Sequence, residues 1–168
     1  LKDVLDNCTV PEYTFRDIYV ARLEAECTAL APAAPLQPVL TAARGVYDDV
    51  DPIVLFRGDW ERGDRFDDAF QKTVAYSEAP GAEIAFAFEG RAVTYVYTKA
   101  PNRGIASISI DGVAKGTFDL YSAAVKWQSR LKFDGLGPGR HILVIHVTGK
   151  SRHGAQGVFV DLDALEVN

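Results

Sequence analysis

The chain has 168 residues, 48% of them hydrophobic and 24% charged, with a net charge of −5. Folding at this length hides roughly 70% of the unfolded surface, enough for one core, so one principal domain is expected rather than a disordered tail, a collagen-like fibre or a low-complexity segment. The negative balance supplies no field for a polyanion, which sets nucleic acid aside as a partner, and no apolar run approaches the ~18 residues of a membrane span.

The opening residues, Leu1-Lys2-Asp3-Val4, show no basic stretch followed by an apolar one, and the chain contains no methionine. The first leaves no targeting signal visible, and the second suggests an excised piece of a longer protein or a processed product. Cys8 and Cys27 are too few and too far apart for a cysteine-rich metal knuckle or a CxxC redox pair; a disulfide of a secreted protein and two small buried thiols both fit them.

Residues 14–30 read as a helix, with Thr14 at its N-cap and Phe15, Ile18, Tyr19, Leu23, Cys27 and Leu30 at helical spacing. Pro32, Pro35 and Pro38 then end it and stiffen a connector. From Pro52 onward the pattern is all-β: runs rich in Val, Ile, Phe, Tyr and Thr alternate with Gly, Pro, Asn and Asp. Nine strands are expected, over residues 53–57, 72–77, 83–88, 92–98, 104–110, 116–120, 127–133, 140–148 and 157–167. The expected organisation is thus a helix and proline-rich linker over residues 1–50 and an antiparallel two-sheet jelly-roll sandwich over residues 51–168.

Alternation assigns faces. Ile84, Phe86 and Phe88 share one side of their strand, and Ala106, Ile108 and Ile110 and Leu143, Ile145 and Val147 line up the same way. In the run 126–133 the even positions, Lys126, Gln128, Arg130 and Lys132, must face water, which sends Trp127 to the core. Glu89-Gly90-Arg91 is short enough for a tight hairpin, and Asp111-Gly112 is a strong turn dipeptide.

The order of these signals resembles the galactose-binding-like jelly-roll family. It is carried by Gly58-Asp59-Trp60, by Phe86 to Val93, by Ala106 to Gly112, by Gly135 to Val144 and by the closing Val160-Asp161-Leu162-Asp163-Ala164-Leu165-Glu166-Val167. The resemblance covers residues 52–168. It implies a non-catalytic module beside a glycoside hydrolase, an esterase or another cell-surface enzyme, binding carbohydrate or only its neighbouring domains. No cofactor is implied beyond a structural calcium, for which Asp48, Asp49, Asp51, Asp161 and Asp163 are the available oxygen donors, although no ordered Asp-x-Asp-x-Asp-Gly loop is present.

Catalytic constellations are not found. There is no Gly-x-Ser-x-Gly elbow, no phosphate-binding glycine loop and no His-x-x-x-His pair, and His141 and His146 fall on opposite faces of one strand. The acids Asp59, Glu61, Asp64, Asp67 and Asp68, interleaved with Arg62 and Arg65, read as a solvated loop, and Asp163 as a buried acceptor for a neighbouring backbone N–H.

Counting strand directions gathers residues 79–82, 99–103, 121–126 and 149–156 at one pole of the sandwich and the shorter turns, with residues 58–71, at the other. The first pole presents Asn102, Arg103, Tyr121, Lys126, Arg152 and His153, the expected ligand-binding set, whose cations suit an anionic glycan. Trp60 falls at the opposite pole and is expected to anchor a loop or fill the core. The function expected from sequence is a secreted or cell-envelope carbohydrate-binding accessory module, not an enzyme in itself, adjacent to a catalytic domain. The alternatives are a protein–protein interaction or oligomerisation domain without sugar binding, and an accessory region of a carbohydrate esterase.

Overall fold

The computed structural model describes residues 36–168. The expected helix over 14–30, both cysteines and most of the proline-rich connector lie outside the described residues. Twelve strands are observed among the described residues: Gly45–Asp48 (β1), Leu55–Arg57 (β2), Glu61–Gly63 (β3), Val74–Ser77 (β4), Glu83–Glu89 (β5), Val93–Lys99 (β6), Ile105–Ile110 (β7), Val113–Asp119 (β8), Lys126–Phe133 (β9), Arg140–Val147 (β10), Val160–Leu162 (β11) and Ala164–Val167 (β12). They form a five-stranded sheet in the order β2-β5-β10-β7-β8, a four-stranded sheet in the order β1-β12-β6-β9 and a small sheet in the order β11-β4-β3. Every strand pair within these sheets is antiparallel.

The core lies between the two larger sheets. Ile84, Phe86 and Phe88 of β5, Ile108 and Ile110 of β7 and Leu143, Ile145 and Val147 of β10 pack with Val93, Tyr95 and Tyr97 of β6 and Leu165 and Val167 of β12. The alternation read from sequence is therefore the inward face of each strand, and register maintains it: Leu143 pairs with Phe86 on one side and Ile110 on the other. Asp111 and Gly112 turn β7 into β8 with φ of 54° and 74°, the two positive values that a two-residue hairpin of matching twist requires.

All nine expected strands form, and four details differ. The last expected strand is two, because Asp163 breaks the run and its N–H turns to Val96 O of β6 while β11 pairs with β4. Two short strands, β1 and β3, had not been expected. β1 lies before the anticipated boundary at residue 51, yet it pairs with β12 from Gly45↔Val167 to Asp48↔Ala164, and Ala42 bridges Phe88. Glu89-Gly90-Arg91 is not a hairpin: β5 and β6 belong to different sheets, so the turn carries the chain across the core. Trp127 is half-buried against Phe66, with ring centroids 5.5 Å apart, rather than in the core. Between Tyr97↔Ser129 and Lys99↔Lys126 the chain of β9 advances one residue more than β6, with Gln128 at φ 48°, and this bulge reverses the side to which Trp127 points.

Candidate functional site

The unexpected strand β3 has a consequence for the poles of the sandwich. Arg57 at the end of β2 pairs with Glu83 at the start of β5, which puts residues 58–60 beside residues 78–82. β3 then runs back along β4, with Glu61 opposite Tyr76, before the connection 64–73 turns the chain round. Trp60 is thus at the same pole as the long polar loops, a correction to its expected place, because one uncounted strand inverts the parity of every earlier connection.

At this pole an open cleft of about 700 Å³ is lined by residues 58–61 and 76–80. Trp60 and Tyr76 supply its aromatic wall and Asp59, Glu61 and Glu78 its charges. Each aromatic ring is held in place. Trp60 Nε1 donates to Arg57 O at 3.0 Å and its ring meets Phe56 edge-on at 5.3 Å, so its expected role as a loop anchor stands together with a place on the cleft wall. Tyr76 packs edge-on against Phe159 at 5.9 Å, and its hydroxyl donates to Glu61 Oε2 at 3.0 Å. That hydrogen bond, together with burial and the charge of Glu61, raises the phenol above its ordinary range. Ser77 Oγ closes the floor by donating to Asp59 O and accepting from Ala79 N.

The pole expected from strand counting is present. Ile105 N–H donates to Lys150 O, Leu120 N–H to Gly104 O, Ser122 N–H to Ala100 O, Gln156 N–H to Pro101 O and Phe159 N–H to Asn102 O, so the loops over 99–103, 121–126 and 149–156 are tied together through the first of them. The approach is close enough to demand glycine at 104, where a Cβ would meet Val158 O at 2.4 Å. Within this group the six expected binding residues divide. Arg103 Nε reaches Asp161 Oδ1 at 2.9 Å with its side chain only 12% exposed, and its Nη1 donates to Asn102 Oδ1 at 2.9 Å. Arg152 lies over the Tyr121 ring at 4.9 Å and reaches Asp119 at 4.0 Å. Lys126 and His153 are exposed. The structure brings Asn102 to Arg103 and Tyr121 to Arg152, and Arg103 is spent on an internal ion pair.

Asp59 and Glu61 read from sequence as members of a solvated loop, and Glu78 is not among the expected binding residues. Their common position depends on β3 pairing with β4, and a three-residue strand of Glu-Arg-Gly carries no alternation by which it could be found.

The aspartates offered to calcium are largely occupied by protein groups. Asp161 accepts from Thr98 N–H and Arg103, Asp51 from Ile53 N–H, Asp48 from Thr73 Oγ1 and Asp49 N–H, and Asp163 from Phe70 N–H at 2.7 Å, which is the buried-acceptor role expected of it. Asp49 Oδ1 and Oδ2 and Asp163 Oδ2 are buried without a hydrogen-bond partner. Among the described residues, no group of three or more His, Cys, Asp or Glu side chains is arranged to hold a metal ion. Among the described residues no helix is long and apolar enough to cross a membrane.

No family model matches the chain. It is 32% identical over 98 residues to the A type blood N-acetyl-alpha-D-galactosamine deacetylase of Flavonifractor plautii, a match that spans 58% of this chain and 13% of that protein. Among solved structures, a Paenibacillus xanthan lyase superposes with a TM-score of 0.58 at 15% identity, covering 82% of this chain and 14% of the lyase. A two-domain esterase active on acetylated mannans, crystallised with mannopentaose, superposes with a TM-score of 0.57 at 17% identity over 88% of this chain and 43% of the esterase. A family two carbohydrate esterase from Cellvibrio japonicus gives 0.53 at 17% identity over 73% and 32%. The chain thus spans less than half the length of each of these proteins. The structural likeness establishes the fold, an antiparallel β-sandwich of a kind that these larger carbohydrate-active proteins contain.

Proposed function

We propose that this chain supplies a non-catalytic carbohydrate-binding module to a larger carbohydrate-active protein acting outside the cytoplasm. The carrying observation is the cleft at the loop pole, where the Trp60 and Tyr76 rings stand beside Asp59, Glu61 and Glu78. Sugars are bound by an aromatic wall that covers the apolar ring face and by a few polar groups that accept from the hydroxyls, and both occur here on a rigid sandwich. The match to a protein named as an N-acetylgalactosamine deacetylase, of which this chain covers only a small part, supports a place beside a catalytic domain that processes amino-sugar glycans. No bond-making step is assigned to this chain.

A second reading keeps the anionic glycan expected from sequence and seats it on the exposed rim of Arg152, Lys126 and His153; the guanidinium of Arg152 stacked on Tyr121 favours it. The test is glycan-array and calorimetric binding by the full chain. Trp60→Ala is expected to abolish binding at the cleft while the melting transition persists. Loss on Arg152→Ala with Trp60→Ala neutral would move the site to the rim, and silence of the unaltered chain on neutral, amino and acidic glycans would overturn the function.

A further inference from the structure

We propose that the cleft selects glycans carrying a free amine, that is, de-N-acetylated hexosamine units protonated near neutral pH. This rests on the carbohydrate-binding reading above and adds the ligand class. The cleft and its aromatic wall make the site; its charges decide which sugar enters.

Among the described residues, every charged side chain lining the cleft is acidic, with no Lys, Arg or His in the lining. The neighbouring cations in sequence, Arg57 and Arg62, and Arg103, whose charge reaches Tyr76, are engaged by other groups. Arg57 pairs with Glu83, Arg62 lies over the Phe56 ring at 5.0 Å, and Arg103 is held by Asp161. The carboxylates are by contrast available: Asp59, Glu61 and Glu78 are exposed, and among the described residues Asp59 and Glu78 engage no side chain in a hydrogen bond or ion pair. Glu61 is oriented by the Tyr76 hydroxyl on one oxygen, which leaves its other oxygen to accept.

Such a surface discriminates by charge. A uronate or sulfate would face three carboxylates of its own sign, and a neutral sugar would gain only hydroxyl hydrogen bonds. An ammonium gains charge-assisted bonds to the carboxylates and an electrostatic attraction to the indole face. An N-acetyl group abolishes both, since it removes the charge and two of the three N–H donors.

The experiment is titration calorimetry of the full chain at pH 6 with matched tetramers: glucosamine and its fully N-acetylated counterpart, galactosamine and its counterpart, a neutral galactan and a hyaluronan fragment. The expected result is that at least one amine form binds ~10-fold or more tightly than its acetylated partner, a margin of the size charge-assisted contacts supply. The margin should shrink at pH 9, where the amine is neutral, and with added salt. Asp59→Asn, Glu61→Gln or Glu78→Gln should weaken the amine form by a larger factor than the acetylated form, so that the margin between them narrows. Equal or tighter binding of the acetylated, neutral or uronate tetramer through Trp60 overturns the amine selectivity and leaves the module intact. Failure of all six to bind overturns both.

Discussion

Arg103 Nε lies 2.9 Å from Asp161 Oδ1 in a pair whose acid is fully buried, and the same acid accepts from Thr98 N–H while its backbone carbonyl accepts from the Tyr95 hydroxyl. A residue that sequence patterning offers as a ligand contact is therefore a strut joining the 100–104 loop to β11. Burial pushes the Asp161 carboxyl up, and the Arg103 charge is the first influence drawing it back down. Arg103→Ala should cost ~3–5 kcal/mol, the penalty for leaving a buried charge unpaired. Denaturant unfolding measures it; a loss below ~1 kcal/mol would show that the pair does not hold the loop. Any loss of sugar binding in that variant reports the fold first.

Asp49 and Asp163 carry raised carboxyl pKa values, each about 6, chiefly from burial; the charge of Asp48 adds to both. Unfolded aspartate titrates near 3.9. Between about pH 4 and pH 6 the folded chain retains protons that the unfolded chain has released, so stability falls as pH rises through that window and stays lower above it. Asp49→Asn should raise Tm at pH 7.5 and flatten the profile between pH 4 and 6. Melts across that range check it. A drop in Tm for this variant, or a rise of the unaltered chain on adding calcium, would mean that an ion neutralises the acid.

His141 directs both ring nitrogens at acceptors, Nδ1 to Asp111 Oδ2 at 2.6 Å and Nε2 to Gly137 O at 2.9 Å. Only the imidazolium donates to both, and the hydrogen bond to Asp111, followed by that to Gly137, raises the His141 pKa. This contribution to stability is full below about pH 6.5 and is lost as pH rises through the higher folded value. His141→Gln should remove the decline of Tm above neutrality while leaving the acid-side window to Asp49 and Asp163. The imidazole titration followed by NMR should lie above 6.5.

Gly149 approaches the cleft wall. A Cβ there would stand 2.5 Å from Pro80 Cγ, on a backbone with φ +66°. Gly149→Ala should therefore cost roughly 1–3 kcal/mol through left-handed strain and contact. It should also weaken sugar binding by displacing the 78–82 turn. Unchanged affinity together with lowered Tm would separate the 149 loop from the site.

How far the sequence reaches is visible strand by strand. Ile84, Phe86 and Phe88, or Leu143, Ile145 and Val147, declare their inward face because side chains alternate along a strand and one face must leave water. Asp111-Gly112 declares its hairpin because few residue pairs tolerate two positive φ values in succession. The grouping of the loops over 99–103, 121–126 and 149–156 followed from strand direction alone, and the backbone bonds among them are in place.

The remaining features depend on partners distant in the chain. β1 and β3 are too short for alternation to register, and each exists because β12 or β4 offers it a hydrogen-bonding edge. The bulge that turns Trp127 away from the core is a mismatch between two strands, β6 and β9, and is written in neither alone. Alternation and turn chemistry, being properties of neighbouring residues, determined that this chain is an antiparallel β protein and which faces meet water. Which sheet receives each strand, on which side of the molecule Trp60 stands, and that Arg103 is consumed while Asp59, Glu61 and Glu78 are left to accept, were decided only when backbone hydrogen bonds and buried charge had to be satisfied together across the folded whole.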